Sequence, residues 1–107
     1  MRELLLLPLA LLVLGTGPAL ADAEEEAWIA MNLEQLRGRL IHPDSAQTRG
    51  VFISRKAGVP VVCGEVNTLI AAGEETGFEP FIGAGSLGVF LPFDVDDFAA
   101  LWGHFCR

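Results

Sequence analysis

The chain has 107 residues, two cysteines and a formal net charge of −7. This acidic balance excludes nucleic acid and anionic membrane surfaces as partners, because both classes require a basic footprint on the protein. It leaves a cationic protein or a cell-envelope component as the partner class that the charge would favour.

The first 21 residues have the pattern of a secretory signal peptide. Arg2 precedes the apolar run Leu4–Leu14, and a small-residue cleavage site follows at Ala19-Leu20-Ala21. The run is too short for a transmembrane anchor, which takes about 20 apolar residues. We therefore predict cleavage after Ala21 and no stable membrane insertion. The mature chain, residues 22–107, should be periplasmic or secreted and form a single domain.

The mature chain begins with a helical pattern. Apolar residues recur at spacings of four, three and four from Ile29 to Leu40. Acidic residues precede them, where they face the positive end of the helix dipole. The pattern predicts a helix from about Ala23 to Ile41, since Pro43 disfavours helix at the residue before it.

Strand patterns follow the turn-forming segment Pro43–Ala46. β-Branched and aromatic residues predict strands at about Gly50–Arg55 and Val59–Val66, joined as a hairpin with a bulge at Gly64. The segment Asn67–Thr76 has no regular period, although residues 69–72 could form a helical turn. Two further short strands are predicted on either side of the glycine turn at residues 83–85.

A capped amphipathic helix follows near the C-terminal end. Asp94 is its predicted N-cap, and Asp97 takes the third helical position of a capping box. Phe93 and Phe98 occupy the two positions of a hydrophobic staple. Val95, Phe98, Trp102, Phe105 and Cys106 share one face at helical spacing.

These elements predict a small α+β domain. An antiparallel sheet of three to four strands should have its apolar face covered by an N-terminal and a C-terminal helix. Cys106 on the last helix can then meet Cys63 on the second strand. An even cysteine count in a small exported domain favours a disulfide between them. The alternative is two buried free thiols.

Two segments, PDSAQTRGV and VCGEVNTLIAAGEETGFEPF, resemble a family of short exported bacterial proteins. The family segments read roughly DP-x-SA-x-FR and VCG-x-VN-x-x-N-x-x-GGY-x-G-x-x-PF, followed by a helix that carries a cysteine. The resemblance covers about Pro43 to Phe81 plus Cys106, and it implies a fold and a compartment but no activity. The chain departs from the family pattern at His42, Thr48, Ile70, Glu74 and Glu75.

No catalytic, cofactor-binding or metal site is predicted. A thiol nucleophile would need a free Cys63 or Cys106 beside His42 or His104, and a disulfide would remove both thiols. Two histidines without close ligand spacing do not indicate zinc.

The candidate binding residues lie in one acidic loop and comprise Asn67, Glu74, Glu75 and Glu79. Loops on a rigid scaffold often carry binding residues, and clustered carboxylates favour a basic partner. A solvated acidic loop without a partner is the alternative. The sequence thus predicts a non-catalytic binding or interaction module. The competing hypothesis is a small periplasmic hydrolase or redox enzyme whose site the sequence does not reveal.

If residues 1–21 are a signal peptide, the exported protein should begin at Asp22. Intact-mass spectrometry of protein recovered from the periplasm or the medium checks this. A chain expressed without the first 21 residues, apart from an initiating methionine, provides the reference mass. A full-length mass in the membrane fraction would contradict the prediction.

Overall fold

A computed structural model describes residues 22–107, which form two α-helices and six strands. In chain order they are α1 (residues 22–37), β1 (Gln47–Ser54), β2 (Val61–Asn67), β3 (Leu69–Ala71), β4 (Glu74–Glu75), β5 (Glu79–Gly83), β6 (Val89–Phe90) and α2 (Phe98–Phe105). Short 3₁₀ turns lie at Pro43–Ser45, Gly85–Leu87 and Pro92–Asp94. The predicted α+β class is confirmed, and the predicted signal peptide lies outside the described residues.

Strands β1, β2, β5 and β6 form one antiparallel sheet in that order, and β3 and β4 form a separate hairpin. β1 and β2 make the predicted hairpin, with Ile53 opposite Val62. β2 and β5 are the central strands, with Gly64 opposite Phe81. The helical turn considered for residues 69–72 is wrong, because β3 pairs with β4.

Both faces of the sheet are apolar, and each face carries one helix. On one side, Val62 and Phe81 pack with Leu36 of α1. On the other, Cys63 packs with Phe98 of α2. The expectation that both helices cover one apolar face is therefore wrong. Alternation along the apolar run at the start of β2 sends side chains to both sides, as expected for a central strand that is buried on both faces.

Helix α1 ends at Arg37, four residues before the predicted end. After Gly38 the backbone tightens: the amide of Arg39 donates to the carbonyl of Leu36 at 2.9 Å, and that of Leu40 to the carbonyl of Arg37 at 3.1 Å. Glycine costs about 1 kcal/mol relative to alanine within a helix, which favours an end at this point.

The early end of α1 leaves Arg39 free to tie this helix to the segment before α2. Its guanidinium donates to the carbonyl of Val89 at 2.6 Å and to both carboxylate oxygens of Asp94 at 2.8 and 3.1 Å. This pair of bonds is the main reason that the pKa of Asp94 lies below its ordinary value.

The N-cap of α2 is Asp97, whose side chain accepts a hydrogen bond from the amide of Ala100 at 3.2 Å. The prediction of Asp94 as the cap is wrong, because Asp94 accepts from the amide of Leu91 at 2.7 Å and binds Arg39. The predicted staple is also absent, since 75% of Phe93 is exposed. Asp94 is therefore engaged by Arg39 and Leu91, and α2 begins after Asp97, whose carboxylate caps it.

The β-bulge of the β1–β2 hairpin lies on β1, rather than at Gly64 as predicted. Gly50 and Val51 together oppose Gly64, and Gly50 has a φ of 60°, as in a bulge whose first residue is glycine. A Cβ on Gly64 would lie 3.0 Å from the ring of Phe81 and 3.0 Å from a methyl group of Val51. Gly64 is therefore a close-packing position, and the bulge lies opposite it.

The predicted disulfide between Cys63 and Cys106 is confirmed, so the alternative of two free thiols is excluded. The bond joins the middle of β2 to the C-cap of α2 across 43 positions of sequence. Cys63 is fully buried beneath the helix. The bond therefore fixes α2 against the centre of the sheet.

The double substitution Cys63→Ala and Cys106→Ala should lower the free energy of unfolding by about 2–5 kcal/mol, because the unfolded chain loses a long closed loop. Urea denaturation checks this for the wild type and the variant, each with and without reductant. Reductant should lower the midpoint of the wild type and leave that of the variant unchanged. Equal midpoints for the oxidised wild type and the variant would contradict the prediction.

Candidate functional site

Asn67, the first of the predicted binding residues, is buried and holds the β3–β4 hairpin in place. Its side-chain oxygen accepts from the amide of Gly77 at 3.0 Å, and its side-chain nitrogen donates to the carboxylate of Glu75 at 2.8 Å. The structure therefore places Asn67 as an internal anchor of the acidic loop rather than on its surface.

The three predicted acidic residues do not point to a common site. Glu74 is exposed at the tip of the hairpin, while Glu75 is bound by Asn67. Glu79 lies on β5, half-buried opposite Val66, and lines a different depression from Glu75. Of the three, Glu74 is the carboxylate best placed to meet a partner through charge alone.

The two segments that carry the family resemblance meet in one polar cleft. The hydroxyls of Ser45 and Thr68 lie 2.7 Å apart, the amide of Leu69 donates to the hydroxyl of Ser45 at 3.0 Å, and the hydroxyl of Thr68 donates to the carbonyl of His42 at 3.3 Å. These bonds join the 3₁₀ turn at Pro43–Ser45 to the end of β2. Their evident role is structural, because each hydroxyl is already engaged within the fold.

The histidines and carboxylates assemble no metal cluster in the described part of the chain. Within residues 22–107, no group of three or more His, Cys, Asp or Glu side chains could hold a metal ion. His104 is exposed near the end of α2, with its ring edge-on to Phe105 at 4.8 Å between centroids.

An apolar groove of about 590 Å³ lies beside α2. Its rim carries Val59, which is 52% exposed, and Leu87, which is 79% exposed. Leu101 and Phe105 of α2 form part of its wall. The full lining is Trp28, Val59, Pro60, Val61, Ile82, Ala84, Ser86, Leu87, Phe90, Val95, Leu101 and Phe105, a set without an ionisable side chain.

The groove exists because α2 is short. Its eight residues span only about 12 Å, so the helix covers part of a face to which four strands contribute. The disulfide holds the end of the helix over β2, and the apolar surface beside it stays open. The sequence pattern does not predict this site. The sequence feature that could have indicated the groove is a pair of large apolar residues, Val59 and Leu87, in the glycine-containing segments KAGVP and GAGSLG.

Trp28 closes one part of the groove and depends on a glycine in the facing turn. A Cβ on Gly85 would lie 2.5 Å from the indole ring, and Gly85 has a φ of 59°, so both packing and backbone require glycine there. The indole Nε1 is buried and has no hydrogen-bond partner among the described residues. The ring is thus held by packing against the 3₁₀ turn Gly85–Leu87.

A smaller recess of about 380 Å³ adjoins the groove and shares Trp28 and Pro60 with it. We call it the polar recess; its lining is Glu24, Glu25, Trp28, Ile53, Arg55 and Pro60. Glu25 pairs with Arg55 at 3.2 Å, whereas Glu24 makes no salt bridge with any residue in the described range. The recess beside the apolar groove therefore holds a carboxylate that pairs with no cation among residues 22–107.

Comparison of the chain with protein-family models, with curated proteins and with solved structures finds no match in any of the three. The family resemblance in the sequence therefore stays a prediction. Among residues 22–107, no helix has the length and apolar character needed to cross a membrane.

The bond between Asn67 and Glu75 predicts different effects for two neighbouring charge reversals. Glu75→Lys should lower the free energy of unfolding by about 1–2 kcal/mol, because Asn67 loses a charged acceptor. Glu74→Lys, the matched control, should change it by less than about 0.5 kcal/mol, since Glu74 is exposed and makes no such bond. Urea denaturation measures both values.

The Glu74→Lys variant also tests the predicted binding of a basic partner, since its fold should be intact. A lysine-rich peptide should bind it more weakly than it binds the wild type at low salt. Equal binding by Glu74→Lys and the wild type would exclude the hairpin tip as a binding surface.

For the stability prediction, equal free energies of unfolding for Glu74→Lys and Glu75→Lys would show that the Asn67–Glu75 bond does not support the hairpin.

Proposed function

We propose that the chain is an exported, non-catalytic binding module and that the apolar groove is its binding surface. The observation that carries this proposal is the groove itself. Its volume falls within the range of about 300–1,000 Å³ that is typical of ligand pockets, and its lining is dominated by aliphatic and aromatic side chains.

The export part of this proposal rests on the signal-peptide pattern and on the disulfide. Disulfides persist in oxidising compartments such as the periplasm and the extracellular space. The bond between Cys63 and Cys106 is therefore compatible with a periplasmic or secreted location, and the leader pattern in residues 1–21 favours the same location.

The competing hypothesis of a small hydrolase or redox enzyme has less support from the described residues. Both sulfurs are bonded to each other, so neither is a thiolate nucleophile in this state. The hydroxyls of Ser45 and Ser54 donate to the backbone carbonyls of His42 and Phe105, which suits a structural role. The groove itself contains no acid, base or nucleophile except the hydroxyl of Ser86.

An uncharged apolar dye such as N-phenyl-1-naphthylamine should bind the wild type with a rise in dye fluorescence. Leu87→Glu should weaken this binding about tenfold, because a charge replaces apolar area at the rim of the groove. Ile41→Glu is the matched control, since Ile41 is 70% exposed and does not line the groove. Fluorescence titration of the three proteins gives the dissociation constants.

The control variant should bind the dye as the wild type does, and both variants should keep the wild-type circular dichroism spectrum. No dye binding by the wild type would contradict the proposed function. Equal weakening by Leu87→Glu and Ile41→Glu would place the dye elsewhere and would contradict it as well.

A further inference from the structure

We propose that the groove takes an amphipathic cation: a molecule whose apolar chain lies in the groove and whose positive group lies in the polar recess. This inference rests on the proposed function and names the chemistry of the ligand. The two cavities share Trp28 and Pro60 in their linings, so they lie side by side, and the proposed ligand spans both.

The charges around the two cavities favour a cationic head group. The groove offers no ionisable side chain, so an ionic group would be unpaired and partly desolvated there. The recess supplies Glu24, Glu25 and Arg55, and the 3.2 Å pair between Glu25 and Arg55 leaves Glu24 as its unpaired charge among the described residues. A cation placed in the recess therefore meets a carboxylate, and an anion is repelled by it.

Two further features favour a cationic ligand over an anionic one. The formal charge of the whole chain is −7, which attracts a cation and repels an anion at long range when the salt concentration is low. Trp28, which lines both cavities, has the aromatic side chain with the strongest attraction for cations.

Glu24 and Glu25 also have a plain structural role, because acidic residues in the first turn of a helix interact favourably with its dipole. Glu26 shares that role on the same helix, is exposed, and does not line the recess. Glu26→Gln is therefore the control for Glu24→Gln. Each variant loses one negative charge near the start of α1, and only Glu24→Gln loses it from the recess.

The test uses three single-chain amphiphiles with the same apolar tail: octyltrimethylammonium, octyl glucoside and octyl sulfate. Each is titrated below its micelle concentration against the purified protein by calorimetry, at low and at high salt, with circular dichroism to verify that the fold persists. At low salt the cation should bind about threefold more tightly than the neutral amphiphile and about tenfold more tightly than the anion. High salt should reduce both ratios.

The variants separate the head-group contribution from the tail contribution. Glu24→Gln should remove most of the preference for the cation, while Glu26→Gln should preserve it. Leu87→Glu should weaken binding of the neutral amphiphile, whose tail occupies the groove. Equal affinities for the cation and the anion, or equal effects of Glu24→Gln and Glu26→Gln, would overturn the inference.

Three other outcomes bear on the proposed function or on the occupant of the groove. If none of the three amphiphiles binds the wild type, both the inference and the proposed function fail. If the neutral amphiphile binds in the groove and the charge of the head group makes no difference, the proposed function stands and only the cationic ligand is rejected. A dimer that is disrupted by Leu87→Glu, seen by sedimentation together with no amphiphile binding, would identify a second copy as the occupant and would also overturn the inference.

Discussion

The bond between Cys63 and Cys106 is the constraint on which the α2 side of the molecule depends. α2 has eight residues, which is below the length at which an isolated helix is stable in water. Two further bonds hold its end: the hydroxyl of Ser54 donates to the carbonyl of Phe105, and the ammonium of Lys56 donates to that of Gly103 at 2.7 Å. They also satisfy carbonyls that a helix end leaves unpaired. The groove is the apolar surface that this firmly held but short helix leaves uncovered.

Much of the fold could be predicted from local pattern, and two of the errors concern contacts between residues that are distant in sequence. The even cysteine count, with Cys63 on a predicted strand and Cys106 on the apolar face of the last helix, correctly predicted the disulfide. The cap of α2 was misplaced because Asp94 and Asp97 are equally good caps in sequence, and only the position of Arg39, 55 residues before Asp94, decides between them. The single apolar face was wrong because an apolar run along a central strand does not say how many faces are covered.

The candidate site was far less predictable than the fold. The acidic loop could be recognised in the sequence from its glycines and carboxylates, yet Asn67 and Glu75 bind each other in the structure. The groove could not be predicted because its walls come from both helices, three strands and three connecting segments, and none of its residues is chemically unusual. Leu87 would be read in any sequence as an ordinary apolar residue; its exposure is a property of the turn that carries it.

The position of the disulfide also determines how the protein would carry a mechanical load. A force applied at Arg107 passes through the neighbouring sulfur bond directly into the middle of β2. Residues 64–105 lie inside the closed covalent loop, so pulling on the two ends cannot extend them while the bond is intact. Among the described residues, the part that such a force can extend is 22–63, from α1 to the first half of β2. The groove wall formed by α2 is therefore shielded from forces that would unravel α1.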